Sequence, residues 1–288
     1  MLIKILGTAA AEGWPAVFCR CETCQRVRKA GGKDIRSRAS IQFTRLRQGD
    51  FAKATSPRGY GGQASHQIDL PPDHWYHEAV LGADMSGLEH LFITHSHQDH
   101  WSPRSLLFLA PPFGHGRTEP LNVYGNEVVV QQGTDMYKNR EGDTVVFHQI
   151  EPFVPVQAGD FVFTPLRARH MQNEECLNYL VTSDGKTVLY NCDIGWYTDD
   201  TWEFLEDQRL DAIISECTCG PHSGGSGHMS FETVFALKER LEKAGAFNNG
   251  VFVATHFSHN VGLLHSELEY ILNERHIQTA YDGMEIAL

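Results

Sequence analysis

The chain has 288 residues, is 41% hydrophobic and spreads 26 glycines and 12 prolines along its length, so it can bury a large core in one enzyme-sized unit and reads as a single domain over 1–288. Its 24 Lys and Arg against 36 Asp and Glu give a formal charge of -12, which opposes non-specific adhesion to nucleic acid because polyanions gain affinity from neutralised phosphates. Apolar runs such as Leu106 to Leu109 fall far short of the roughly 20 residues of a membrane span. The start, Met1-Leu-Ile-Lys-Ile-Leu-Gly, lacks the length and basic flank of a signal peptide, so a cytoplasmic location is expected.

In chain order, strands are predicted at Ile3 to Leu6, Ala39 to Phe43, Leu91 to Thr94, Leu121 to Tyr124, Phe161 to Leu166, Val188 to Asn191, Ala212 to Ser215 and Val251 to Ala254. Helical spacing is clearest from Phe231 to Lys243, with Phe231, Val234, Phe235, Leu237 and Leu241 on one face, and from Leu263 to Leu272. Strands grouped early and then alternating with helices predict two packed sheets with helices outside. The stretch 45–65, rich in Gly, Arg, Gln and Ser, reads as a flap-like insertion. Between Arg20 and Arg47, nine Lys or Arg face only Glu22 and Asp34. This is either a solvated surface or a rim facing phosphate.

The sequence His95-Ser-His97-Gln-Asp99-His100 directly follows the apolar run Leu91-Phe92-Ile93, placing four potential ligands in the loop that leaves a buried strand. In an extended segment alternate side chains share a face, so His95 and His97 can reach one ion while Asp99 and His100 turn toward a second. A lone H-x-H is a weak signal. Here, however, His170, Asp193 and His256 each also follow a predicted strand end. Three of seven cysteines lie in Cys19-Arg-Cys21-Glu-Thr-Cys24, a spacing that suits metal better than disulfides in a reducing compartment.

With Asp69 in front, this ordered set resembles the metallo-β-lactamase superfamily. The resemblance implies a four-layer αββα sandwich of two mixed β-sheets flanked by helices. It also implies His95, His97 and His170 on one ion, Asp99, His100 and His256 on the other, Asp193 bridging, and Asp69 orienting the ligand loop. Three further motifs, the cysteine cluster, Thr255-His256-Phe-Ser-His259 and Asp282-Gly-Met-Glu-Ile286, resemble the carbon–phosphorus lyase accessory phosphodiesterase subfamily. That likeness implies a structural zinc on Cys19, Cys21, Cys24 and His259, and a catalytic histidine at His228, able to protonate a leaving alkoxide. His222 is a second candidate for substrate contact, whereas Cys176, Cys192, Cys217 and Cys219 read as small buried or unreactive residues.

Two ions about 3.5 to 4 Å apart lower the pKa of a shared water toward neutrality and stabilise charge on a phosphoryl group. The expectation is therefore a dinuclear hydrolase cleaving a small, possibly cyclic, phosphodiester, with Asp99, Asp193 and His228 as catalytic residues. Imidazole and carboxylate ligands suit zinc, manganese and iron alike. The alternatives are a relative of the pyrroloquinoline quinone accessory protein and an iron-dependent oxidoreductase on the same fold. The expected partner is a small phosphorylated substrate rather than a membrane or nucleic acid, and a homodimer is the working expectation for assembly.

Overall fold

A computed structural model describes residues 1–45, 65–137, 144–224 and 227–288. Most of the predicted flap at 45–65 lies outside the described residues. The strands β1 (Leu2–Gly7), β2 (Ser40–Thr44), β3 (His66–Ile68), β4 (His90–Phe92), β5 (Leu121–Gly125) and β6 (Val145–Gln149) belong to a first sheet. A second holds β7 (Val156–Ala158), β8 (Phe161–Ala168), β9 (Cys176–Ser183), β10 (Lys186–Asn191), β11 (Leu210–Glu216), β12 (Phe247–Thr255) and β13 (Gln278–Thr279). β14 (Met284–Ala287) then returns to the first sheet, where it pairs antiparallel with β1, Leu2 opposite Ala287. Both sheets are mixed: β3 to β6 run parallel, as do β10 to β13, and the remaining pairs are antiparallel.

The central strands carry apolar residues on both faces because both faces are covered. Along β10, Val188 and Tyr190 enter the core between the sheets while Leu189 enters the outer core; along β11, Ala212 and Ile214 face inward and Ile213 outward. The inter-sheet core centres on Phe43, Phe92, Phe163 and Tyr179, with Phe163 stacked on Phe92 at 3.8 Å between ring centroids. The helices are α1 (Glu22–Ala30), α2 (His74–Ala79), α3 (Glu127–Tyr137), α4 (Asp199–Glu206), α5 (Phe231–Lys243) and α6 (His265–Asn273). α4, α5 and α6 cover the second sheet through Trp202, Leu237 and Leu268, and α3 covers the first through Val129. These layers form the αββα sandwich. Among the described residues, no helix is long and apolar enough to cross a membrane.

Several local expectations shift. The cysteine cluster, read above only as a ligand spacing, opens α1: Cys21 is its N-cap and its sulfur accepts from the Cys24 N–H. The predicted strand Leu91 to Thr94 ends at Phe92, since Thr94 turns its N–H onto Asp69. The helix expected from Leu263 begins at His265. β9, unpredicted, carries buried Asn178 among apolar neighbours, and its amide donates to the Cys192 carbonyl at 2.7 Å.

Phe163 is fully buried. Phe163→Ala should cost about 3–5 kcal/mol of unfolding free energy in urea titration, and a loss below about 1 kcal/mol would contradict the packing described.

Candidate metal centre

The strand register sets the site. Pairing β10 with β11 puts Asn191 opposite Ser215, and pairing β11 with β12 puts Glu216 opposite Thr255, so Asp193, Glu216 and His256 leave neighbouring strands at one edge. The loop after β4 arrives at the same edge from the other sheet, carrying His95 to His100, and His170 follows β8 there. Ligand sites in such sheets form outside the carboxyl ends of parallel strands. Three of the residues at this edge, Asp69, Asp193 and His256, hold left-handed φ values of 64°, 59° and 55°, a strain that persists only where neighbours fix it.

Hydrogen bonds aim each imidazole. Asp69, fully buried, accepts from the Thr94 N–H at 2.8 Å and from His100 Nδ1 at 2.7 Å, which leaves His100 Nε2 facing the site. The Thr94 hydroxyl donates to Asp69 and accepts from His95 Nδ1 at 3.0 Å. His170 Nδ1 donates to the Gly227 carbonyl at 3.0 Å and His256 Nδ1 to the Thr218 hydroxyl at 2.8 Å. His97 instead presents Nδ1, which lies 2.9 Å from His95 Nε2 and 3.2 Å from His170 Nε2. Glu174 pins the loop from outside, accepting from the Ser96 N–H at 2.8 Å and the Asn126 amide at 2.7 Å.

Asp193 lies between the two sets. Its Oδ2 is 3.3 Å from His95 Nε2, 3.0 Å from His100 Nε2 and 3.6 Å from His170 Nε2, while Oδ1 is 3.3 Å from His256 Nε2. Asp99 Oδ2 is 3.2 Å from His100 Nε2. His100 Nε2, His256 Nε2 and Asp193 Oδ1 are buried without hydrogen-bond geometry to any partner, although both imidazoles lie within ion-pair distance of the Asp193 carboxylate. Converging lone pairs of this kind are costly to bury and fit divalent cations. The electrostatics agree: burial opposes charge on His100, yet Asp69, Asp193 and Asp99 outweigh it and push its pKa well above the ordinary imidazole value. Burial would raise Asp193, but His256 and His100 hold it well below the carboxylate range. Thus His95, His97 and His170 are brought together with Asp193, and His100 and His256 with Asp193 and the Cys192 sulfur, whereas Asp99, expected in the second set, is not part of that group and meets it at His100 Nε2. Burial pushes the Cys192 thiol well up.

Glu216, absent from the expected set, completes the centre. Fully buried at the end of β11, it accepts from the Ile194 N–H, the Thr218 hydroxyl and, at 3.1 Å, His228 Nδ1. Burial alone would lower the pKa of His228, but the hydrogen bond and charge of Glu216, with Asp193 and Asp99 behind it, raise it to about 9. His228 lines a cleft of about 540 Å³ together with His97, Asp99, His170, Asp193 and His256. His222 also lines it, its Nε2 3.0 Å from the Asn260 carbonyl.

Of the four remaining cysteines, Cys176, Cys192 and Cys217 are buried, while Cys219 is half-buried and lines the cleft. Of the two readings of the basic segment, the described residues favour the solvated surface over the phosphate rim. Arg36 is buried, Arg26, Arg38 and Arg45 pair with Glu267, Asp73 and Asp184, and no Lys or Arg lines the described cleft; Arg47 lies outside the described residues.

Beside the cleft, Cys19, Cys21, Cys24 and His259 form a second group, with ligand atoms within 4.8 Å of one another. His259 Nδ1 is 3.7 Å from Cys21 sulfur and 3.5 Å from Cys24 sulfur. The Cys24 N–H and His259 lower Cys21 to about 6, whereas burial raises Cys24 to about 11. Four such donors without an open position fit a structural zinc.

No curated protein matches the chain in sequence. Among solved structures, a diphosphatase from the PhnP family superposes with a TM-score of 0.75 at 20% identity, over 100% of this chain and 97% of its own. Zn2+-bound PqqB from Methylobacterium extorquens gives 0.73 at 17% identity over 100% of both chains. The short form of human tRNase Z gives 0.64 at 16% identity over 100% of this chain and 99% of its own. These likenesses show the fold. The beta-lactamase superfamily domain matches residues 68–257, well over half of the chain, and the protein belongs to the metallo-β-lactamase superfamily.

Proposed function

We propose that the protein is a metal-dependent phosphodiesterase acting on small substrates in the cleft around Asp193. The observation that carries this reading is the pairing of His228 with buried Glu216 beside Asp193, 3.4 Å from its Oδ1, with the His228 ring 4.9 Å from that of His170 and 6.0 Å from that of His256. A proton donor thus faces the groups able to hold metal. Two divalent cations, one on His95, His97 and His170, the other on Asp99, His100 and His256, with Asp193 shared, would supply a water nucleophile of near-neutral pKa and a Lewis acid for the phosphoryl group. The imidazole and carboxylate set suits zinc, manganese or iron. A zinc on Cys19, Cys21, Cys24 and His259 would hold the start of α1 against the turn that carries His256.

The chain's own residues do the rest. Glu216 holds His228 through Nδ1 and keeps it protonated, leaving Nε2 to give its proton to the departing alkoxide. Thr218 links the same carboxylate to His256, so acid and ligand are oriented by one buried group. The neighbour described as a diphosphatase makes phosphoanhydrides a further substrate class to assay. A second reading, as a relative of PqqB, rests on likeness of fold across both whole chains; it predicts binding of a quinone-like molecule without diester turnover.

Metal-loaded protein should hydrolyse bis(p-nitrophenyl) phosphate or a cyclic nucleotide or sugar phosphate, and His228→Ala should lower kcat roughly 10²- to 10⁴-fold. Inertness toward all of them would overturn the reading. The sign of a pH effect also follows: His228 acts protonated, the rate falls as pH rises through its pKa, and Glu216 raises that pKa. Glu216→Gln should therefore move the alkaline limb of the kcat/KM profile to lower pH by about one unit; an unmoved limb would separate Glu216 from the acid.

A further inference from the structure

One carboxylate in the wall of the metal cleft belongs to neither group of metal-binding side chains. Glu12 stands half-buried in the loop that leaves β1, and its Oε1 faces the turn after β12. The Ser258 hydroxyl donates to that oxygen at 2.6 Å and the His259 N–H at 3.2 Å, while His259 Nε2 lies 3.8 Å away, within ion-pair distance. The other ring nitrogen of His259 faces the cysteines, Nδ1 standing 3.5 Å from the Cys24 sulfur and 3.7 Å from that of Cys21. Backbone bonds join the same two segments. The Phe257 N–H donates to the Thr8 carbonyl at 2.9 Å, and the Ala10 N–H to the Phe257 carbonyl at 3.1 Å.

We propose that Glu12 is a positioning residue shared by the two metal groups: it orients His259 for a zinc on the cysteines and, through Ser258, fixes the turn that presents His256 to the catalytic centre. The inference rests on the zinc assigned to Cys19, Cys21, Cys24 and His259, and adds the group that joins that zinc to the cleft. A histidine that binds metal through one ring nitrogen is held by an acceptor on the other, which sets its tautomer and ring plane and strengthens it as a ligand. With Nδ1 turned to sulfur, Nε2 carries the proton and Glu12 is the carboxylate beside it. The turn needs an anchor as well. His256 holds a left-handed φ of 55°, a strain that persists only where neighbours fix it, and Ser258 is tied to Glu12 two residues later. Charge argues the same way. The protein is net -12 and no Lys or Arg lines the described cleft, so a carboxylate there repels an anionic substrate and serves the site by what it holds.

The test counts metal rather than turnover, in protein that carries zinc on the cysteine group and Mn2+ in the cleft. Glu12→Gln keeps an oxygen for the Ser258 hydroxyl and the His259 N–H but removes the charge facing Nε2, whereas Glu12→Ala removes both. Zinc release into a chromogenic chelator should be about ten-fold faster than wild type in either variant. Mn2+ binding, followed by equilibrium dialysis, should weaken about ten-fold in Glu12→Ala and stay close to wild type in Glu12→Gln. Ser258→Ala should weaken Mn2+ binding while zinc release stays slow, and it decides the second arm if Glu12→Ala does not fold. Zinc release at the wild-type rate in Glu12→Gln overturns the inference and leaves the zinc assignment standing. Unchanged Mn2+ binding in both Glu12→Ala and Ser258→Ala also overturns it. A wild type without chelator-resistant zinc overturns the zinc assignment and the inference together, and leaves the phosphodiesterase reading to its own assay.

Discussion

The carboxylate of Asp193 is buried at the meeting point of the two sheets, its oxygens 3.0 to 3.6 Å from imidazole nitrogens of His100 and His170, with His95 and His256 between those limits. A buried charge is tolerable only when paired, and the surrounding bases can pair it through protons or through cations. Hydrogen bonds from Nδ1 of His95, His100, His170 and His256 to Thr94, Asp69, Gly227 and Thr218 fix the direction of four rings, so their unshared Nε2 atoms converge whether or not a proton is present. The left-handed backbone at Asp69, Asp193 and His256 is consistent with a site in which orientation takes precedence over local comfort.

The sandwich is the means of holding these groups. β10, β11 and β12 are buried toward the ends that carry the site and locked in parallel register, which makes the spacing of Asp193, Glu216 and His256 a property of the sheet rather than of flexible loops. Glu216 then reaches across strands: the Ile194 N–H beyond β10, His228 ahead of α5 and Thr218 beside His256 all donate to it directly or through one hydroxyl. A single buried carboxylate thereby couples the orientation of a proton donor to that of a residue able to hold metal. The loop 169–175 plays a comparable double role, with Glu174 bracing the His95 to His100 loop on one side and Arg169 opening to a second cavity on the other.

Much of this was legible in the sequence because chemistry and period coincide there. His95 to His100 directly follow an apolar run, and His170, Asp193 and His256 follow predicted strand ends, so their convergence needed only the rule that strand ends share an edge. Glu216 was harder to see. It stands among Ser215, Cys217 and Thr218, and a lone glutamate after an apolar run signals little until the register places it beside His228; its absence of solvent exposure is the decisive fact. β9 escaped for a related reason, since Asn178 breaks its apolar pattern and is explained by partners distant in sequence, the Cys192 carbonyl and the Tyr197 hydroxyl. α1 was hidden because its capping residue, Cys21, also belongs to the metal-binding spacing. Counting charges could not choose between the two readings of the basic segment, because it ignores partners: Arg36 is buried, and Arg26, Arg38 and Arg45 pair with carboxylates.

The central claim is that Asp193 bridges two cations, and it is tested most directly by elemental analysis of protein loaded with zinc or manganese and freed of excess ion. The account predicts about three metals per chain in the wild type and about one, a zinc on the cysteine group, in a folded Asp193→Ala variant. Retention of all the metal by Asp193→Ala, or no more than about one in the wild type, would contradict it.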